Sequence, residues 1–456
     1  MTGALTQRRI FAFWAPLAAT WLMMAIEGPF LGAVIARLPE PKYNLAAWGV
    51  AFSFAMIVEA PIIMMLSAST ALAADRQSFL ALRRFVYALN AIITAGMAVF
   101  LLPPLFRFVT ETMMGLPRRV AGLSHTATAL LLPWPAAIGY RRFYQGTLIR
   151  HGLTRRVAYG TVVRVLSMAT VGGLLFALAP IPGAWVGAAA LAAGVVMEAV
   201  ASRVMAAAVV RGLLRDNPAS PPAREPLTLS GIARFYYPLA LTSLLTLGVT
   251  PLVTFSLGHS RMPLESLAVM PVVLALVFVF RSTGVAYQEV GVALLGETPD
   301  SLTALRKFAI VLGAATAAAL GLVAWTPLAP VWFHRISGLS PELTRSATLP
   351  LRVLWMYPAL EVLLSFQRSR LVHARWTAPI TWGTGVEVAG IALVLAVGIG
   401  AADLVGAVAA TAALLVGRLA ANAFLGVPLA RIAAPATRSR GTRGAMESEA
   451  RWPGRS

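Results

Sequence analysis

Between Ile10 and Val427 the sequence returns again and again to runs of about 20 apolar residues, the length at which an α-helix crosses the hydrocarbon core of a bilayer. Only 12% of the 456 residues are charged and 58% are hydrophobic, whereas soluble domains carry about 25% charged residues, so lipid must be the solvent for most of the surface. The fold class that follows is an all-α polytopic membrane protein. Reading each run up to the charges and the Pro or Gly that break it predicts about twelve transmembrane helices. They lie at 10–35, 45–72, 80–106, 122–140, 157–179, 184–210, 232–257, 266–295, 308–329, 350–366, 378–399 and 404–427. The first run, Ile10 to Val34, exceeds the roughly 7–15 residue core of a cleaved signal and is read as a helix that stays.

The formal charge of +20 resembles a nucleic-acid footprint until its placement is considered. Lys and Arg sit mainly in the short connections, with 25 on the side that carries both ends of the chain and nine on the other. That asymmetry predicts cytoplasmic termini and a cell (inner) membrane location, with membrane lipid rather than nucleic acid as the partner of the basic surface. With no cysteine, and with His125, His151, His259, His334 and His373 scattered, neither a disulfide nor a metal site is expected, and no cofactor is. No G-x-x-x-x-G-K-[ST] loop is present, and no soluble segment is large enough for a nucleotide-hydrolysing domain. Uphill movement of a solute would therefore draw on an ion gradient or a counter-solute.

The longest interior connection contains D-N-P-A-S-P-P-A-R-E-P, whose prolines and short polar residues predict a cytoplasmic linker at 211–231 between six-helix bundles at 10–210 and 232–427. The Arg-, Gly- and Ser-rich segment 428–456 is predicted to be a basic disordered tail. The two bundles resemble each other in the same direction. Phe13-Trp14-Ala15-Pro16-Leu17-Ala18-Ala19-Thr20 matches Phe235-Tyr236-Tyr237-Pro238-Leu239-Ala240-Leu241-Thr242 at an offset of 222, which also places Pro29 on Pro251. At 223, Arg83-Arg84-Phe85 falls on Arg306-Lys307-Phe308, Pro135 on Pro358, and Gly160-Thr161 on Gly383-Thr384. Two parallel repeats of this kind meet at a pseudo-two-fold axis along the membrane normal and leave a central cavity between them.

A charge at the centre of a span costs on the order of 2.5–3.5 kcal/mol and must face protein or water. Glu27, Glu59, Arg164, Glu198, Arg203, Arg281, Glu289, Glu361, Glu387 and Arg418 are placed at such depths, and all but Arg203 are candidates for a substrate pathway or gate. The repeat sets Glu59 on Arg281 and Arg164 on Glu387, so opposite charges at equivalent depth are candidates for pairs that meet across the central interface and open as the bundles part. A permanently buried structural pair is the alternative. Glu27 precedes Gly28-Pro29, and the proline leaves the Ala25 carbonyl without its helical donor, so a kink beside a carboxylate is expected there. Such a carboxylate suits coupling to a proton or cation. The segment Arg141-Arg142-Phe143-Tyr144-Gln145-Gly146-Thr147-Leu148-Ile149-Arg150 and its counterpart around Arg368 are read as an amphipathic loop at the headgroups or as a basic cytoplasmic vestibule, formed by Arg141, Arg142, Arg150 and Arg368, that attracts an anionic solute.

Twelve spans in two parallel halves, the repeated F-x-x-P-L-A-x-T opening and the R-R-F-Y-Q-G-T-L-I-R segment resemble the superfamily of multidrug, oligosaccharidyl-lipid and polysaccharide exporters. Trp48-Gly49-Val50-Ala51-Phe52-Ser53 with Pro61, and Pro251-Leu252-Val253, resemble in particular progressive ankylosis protein and its prokaryotic relatives. The resemblance covers roughly residues 10–427. It implies a MATE-like V-shaped bundle pair working by alternating access, and export of small polyanions such as pyrophosphate, ATP or citrate. The expected function is therefore secondary active export of a small anionic or amphipathic solute by a monomer. A lipid-linked saccharide flippase and a proton- or cation-coupled multidrug exporter are the alternatives within the class. An integral membrane transferase is the alternative outside it, disfavoured because His, Asp and Cys do not cluster in the loops.

Overall fold

The computed structural model describes residues 5–73, 75–178, 180–215, 228–296 and 298–433. Most of the predicted linker and nearly all of the predicted tail, at 216–227 and 434–456, lie outside the described residues. In chain order the first half contains α1 (Gln7–Ala25, continued by Glu27–Ala36), α2 (Pro41–Glu59, continued by Met65–Leu72), α3 (Arg76–Phe100), α4 (Arg118–Leu130, continued by Trp134–Arg150), α5 (Thr154–Leu178) and α6 (Gly183–Arg215). The second half contains α7 (Leu229–Leu247, continued by Val249–Gly258), α8 (Pro263–Leu294), α9 (Ser301–Trp325), α10 (Pro341–Val353, continued by Tyr357–His373), α11 (Ala378–Leu395) and α12 (Gly406–Ala433).

Ten of these helices or helix pairs are long and apolar enough to cross a membrane. The two that are not, α2 and α4, carry Lys42 and Glu59, and Arg118, Arg119, Arg141, Arg142 and Arg150. Their counterparts in the repeat, α8 and α10, are among the ten. The segments expected at 122–140 and 350–366 are longer in the structure, because the chain bends at Leu131–Pro133 and at Leu354–Met356 and then continues as helix.

Local chemistry explains the ends. Thr6 and Thr228 cap α1 and α7, each side chain accepting from the amide three residues on. Pro41 and Pro263 occupy the first turns of α2 and α8, where a missing N–H costs nothing, and the residues before them, Glu40 and Met262, take φ of 55° and 56° to turn the chain. The expected kink is present: α1 breaks at Ile26, just before Glu27, and α7 breaks at Gly248, just before Pro251.

The repeat extends to contacts. Asn44 Oδ1 accepts from the Ala184 amide at the start of α6, and Ser266 Oγ accepts from the Ala407 amide at the start of α12, both at 3.0 Å. A Cβ on Gly194 would meet the Arg164 carbonyl, and one on Gly417 would meet the Glu387 carbonyl, so α5–α6 and α11–α12 approach in the same way. Ser69 packs on Gly146 in the first half, whereas Ser369 packs on Gly291 in the second. The small partner has changed sides while the close approach is kept. Lipid tails are as apolar as the side chains, so such small-residue contacts are what bring membrane helices together.

The halves join at the face opposite the chain ends. There Gly49 of α2 lies against Pro271 of α8, and Lys42 reaches Glu265 at 2.6 Å and Glu342 at 3.3 Å. The Arg37 guanidinium donates to the Arg335 and Ile336 carbonyls, both at 2.9 Å. Toward the chain ends, α2 turns onto α4 and α8 onto α10, each within its own half. The result is two six-helix bundles set as a V, closed on one face.

Candidate functional site

Each half buries one charge cluster. In the first, Arg164 of α5 donates to Glu27 at 2.5 Å and lies 3.7 Å from Glu198 of α6. Arg141 of α4 donates to the same oxygen of Glu198, Oε2, and Gln145, one turn further along α4, donates to Oε1 at 3.0 Å. Glu27, Arg141, Arg164 and Glu198 are all buried. In the second half Glu361 of α10 is flanked by Arg281 of α8 at 3.2 Å and by Arg418 of α12, whose Nε donates to Glu387 of α11 at 2.8 Å. Tyr357, one turn before Glu361, presents its ring to both guanidinium groups, at 4.9 Å from Arg418 and 5.8 Å from Arg281. Burying ions in a membrane is tolerated only when each charge is met in this way.

The clusters lie on corresponding helices of the two halves with polarity reversed, about one turn out of repeat register, since Glu361 and Arg418 follow Arg141 and Glu198 by 220 residues. Arg141 and Glu198 are separated by 57 residues along the chain, as are Glu361 and Arg418. The first half carries arginine on its fourth helix and glutamate on its sixth; the second half carries the opposite.

These positions correct three expectations. Glu59 and Arg281 form no ion pair with each other: Arg281 is committed to Glu361 within the second half, while Glu59 is buried at the break in α2 within electrostatic reach of Arg142. Arg164 and Glu387 likewise stay in their own halves, because a nearer partner on the adjacent helix of the same bundle satisfies each. The segment 141–150 is not a headgroup loop. It is the inner part of α4, and Arg141 is buried rather than lining a vestibule, since Glu198 offsets its desolvation. Of the other vestibule candidates, Arg150 is exposed and holds the Thr70 and Ala71 carbonyls at the end of α2, and Arg368 donates to Thr384 at 3.3 Å. Glu289 is exposed, with the Trp21 indole donating at 3.4 Å, and Arg203 lies over the Tyr144 ring.

Sequence reasoning passed over Gln145, Tyr357 and the Lys42–Glu265–Glu342 group. The last carried no repeat signal: Pro41 matches Pro263, so Lys42 matches Leu264 rather than Glu265, and the two meet because both lie at the starts of the equivalent helices α2 and α8.

The hydrogen-bond balance of the clusters is uneven. Among the described residues, the Nε–H groups of Arg141, Arg142, Arg164 and Arg368 are buried with no acceptor in the protein, against three unpartnered acceptors in the same neighbourhoods, Glu27 Oε1 and the side-chain oxygens of Gln367 and Asn422. Arg142 enters no ion pair among the described residues, and Arg281 keeps about a third of its side chain (32%) exposed. A guanidinium does not face lipid when it can face water.

No protein-family model and no curated protein sequence matches this chain. Solved structures do. An inward-facing multidrug resistance MATE family transporter of the MOP superfamily superposes with a TM-score of 0.69 at 16% identity, over 91% of this chain and 94% of that one. Lipid II flippase MurJ, in an inward closed conformation, gives 0.70 at 11% identity over 91% and 87%. A MOP superfamily transporter from Pyrococcus furiosus, described as having a binding pocket of reverse polarity, gives 0.61 at 14% identity over 94% and 98%. The chain thus has the two-bundle membrane fold shared by MATE transporters and the lipid flippase MurJ.

Proposed function

We propose that the protein is a secondary active transporter that moves a small anionic or amphipathic solute across the cell membrane by alternating access, as a monomer with both termini in the cytoplasm. The observation that carries the anionic reading is the buried Nε–H groups of Arg142 and Arg368, one in each half, left without acceptors in the protein. A buried donor is satisfied in almost every native structure, and the oxygens of a phosphate or carboxylate supply what these lack. Arg142, Arg281 and Arg368 are the residues assigned to solute contact, with Glu59 beside Arg142. Glu27, with one free oxygen at the break in α1, is assigned the coupling proton or cation, since protonation there would loosen Arg164 at the point where the helix already bends. The fold is shared with a multidrug transporter and with a lipid flippase, and each of those activities makes a competing reading.

Counterflow in proteoliposomes against a panel of inorganic and organic anions, lipid-linked saccharides and organic cations tests it. Exchange of an anion that is lost in Arg142→Gln and Arg281→Gln is the expected result. Exchange of organic cations alone overturns the anionic reading.

A further inference from the structure

The first helix of each half rests on the other half. Gln7 at the start of α1 donates to the Ala304 carbonyl of α9 at 2.9 Å, and the Trp14 indole N–H donates to the Thr283 carbonyl of α8 at 3.0 Å. From the other side, the Tyr236 hydroxyl of α7 donates to the Pro61 carbonyl of α2 at 2.5 Å. Trp14 and Tyr236 are repeat equivalents, and so are Thr283 and Pro61. Each donor ring also packs edge-on against a phenylalanine: Trp14 on Phe308 at 5.8 Å and Tyr236 on Phe85 at 5.5 Å, again an equivalent pair. Donor, acceptor and supporting ring are thus matched on the two sides of the molecule although the residues themselves differ.

Their position gives these contacts a purpose. Between the closed face and the chain ends, α2 and α8 each turn onto their own half, while α1 and α7 reach across to the other half, one on each side. An aromatic N–H or O–H facing lipid finds no acceptor, so a partner carbonyl across the seam holds each wall shut. We propose that the two contacts are paired latches that seal the central cavity from the bilayer on both flanks. The solute then enters this state from the aqueous face that carries the chain ends, as a water-soluble anion without an acyl or prenyl chain. This rests on the transporter reading above and narrows it, since a lipid-linked substrate needs one flank open.

The native chain has no cysteine, so one introduced thiol reports on the cavity. The full chain carrying Arg281→Cys, in lipid nanodiscs, is treated with a sulfonated water-soluble maleimide or with a maleimide attached to a phospholipid acyl chain. With both latches intact the soluble reagent should react about fivefold faster, as the one hydrogen bond that must break to open a flank allows. Adding Tyr236→Phe or Trp14→Phe, which keep a ring and remove the donor, should raise the acyl-anchored rate about fivefold and leave the soluble rate unchanged. Equal rates in the intact protein, or donor variants with no effect on the acyl-anchored reagent, overturn the seal while leaving a transporter in place. Reaction with neither reagent shows that there is no cavity at Arg281 and removes the transporter reading together with the proposal.

Discussion

At the scale of single residues, Arg141 and Arg142 are neighbours with opposite consequences. Arg141 is buried against Glu198, and removing it leaves that carboxylate leaning on Arg164 at 3.7 Å and on Gln145. Arg141→Gln should therefore destabilise the folded protein by roughly 3 kcal/mol, the usual cost of breaking a buried pair from one side. Thermal unfolding in detergent measures it. Arg142 has no ion pair to lose, so Arg142→Gln should melt at or above the parental temperature while anion counterflow falls. An equal loss of stability in both variants would place the two arginines in the same structural role. The reversed polarity of the second half provides a further check. Arg141→Glu and Glu198→Arg should each lower the yield of monodisperse protein, and the double variant should recover part of it, because the pair separated by 57 residues in the second half already runs that way.

At the scale of helices, the sequence pattern located the repeat and the breaks but misread where charge ends a span. The offset of 222 to 223 residues was legible because Pro16, Pro29, Pro135 and Gly160 have backbone reasons to recur. The kink before Glu27 was legible because proline forces it. The inner part of α4 was not, since a run beginning Arg141-Arg142 reads as a loop unless the carboxylate that buries Arg141, 57 residues away, is known. The same limit applies to the candidate site. That Glu27, Arg164, Glu198, Glu361, Glu387 and Arg418 face protein could be read from spacing, but their partners could not, because pairing depends on which helices of one bundle are adjacent. Close packing between helices gives its own test. A methyl on Gly49 would sit 2.8 Å from Pro271 across the junction of the halves, whereas one on Gly96 meets open space. Gly49→Ala should cost about 1–3 kcal/mol, as overpacking does, and Gly96→Ala about nothing, read by unfolding of the two variants side by side.

For the whole molecule, the closed face is held by few polar contacts: Lys42 with Glu265 and Glu342, and Arg37 with two carbonyls. Lys42 is 28% exposed at its side chain, so each of its ion pairs is worth no more than about 1 kcal/mol. That is suited to a barrier that must open in every cycle. Lys42→Gln should raise labelling of Arg281→Cys from that face about threefold by the same reckoning, without lowering the melting temperature. Unchanged labelling would assign closure to the packing of α2 on α8 alone. Impermeant labelling of single cysteines introduced at Arg150 and Arg335 in intact cells fixes which face this is. The first is expected to be protected and the second reactive.

The inverted charge pairs also bear on how such a gene can change. Two halves that began as copies can ordinarily exchange segments by recombination, since each fits the other's place. Here an exchange that put the last helix of the second half into the first would remove Glu198 and bring Arg418 to within a turn of its place, leaving Arg141 without its carboxylate. The duplicated halves have become complementary to their own partners only, so each must drift as an intact block and neither can repair the other.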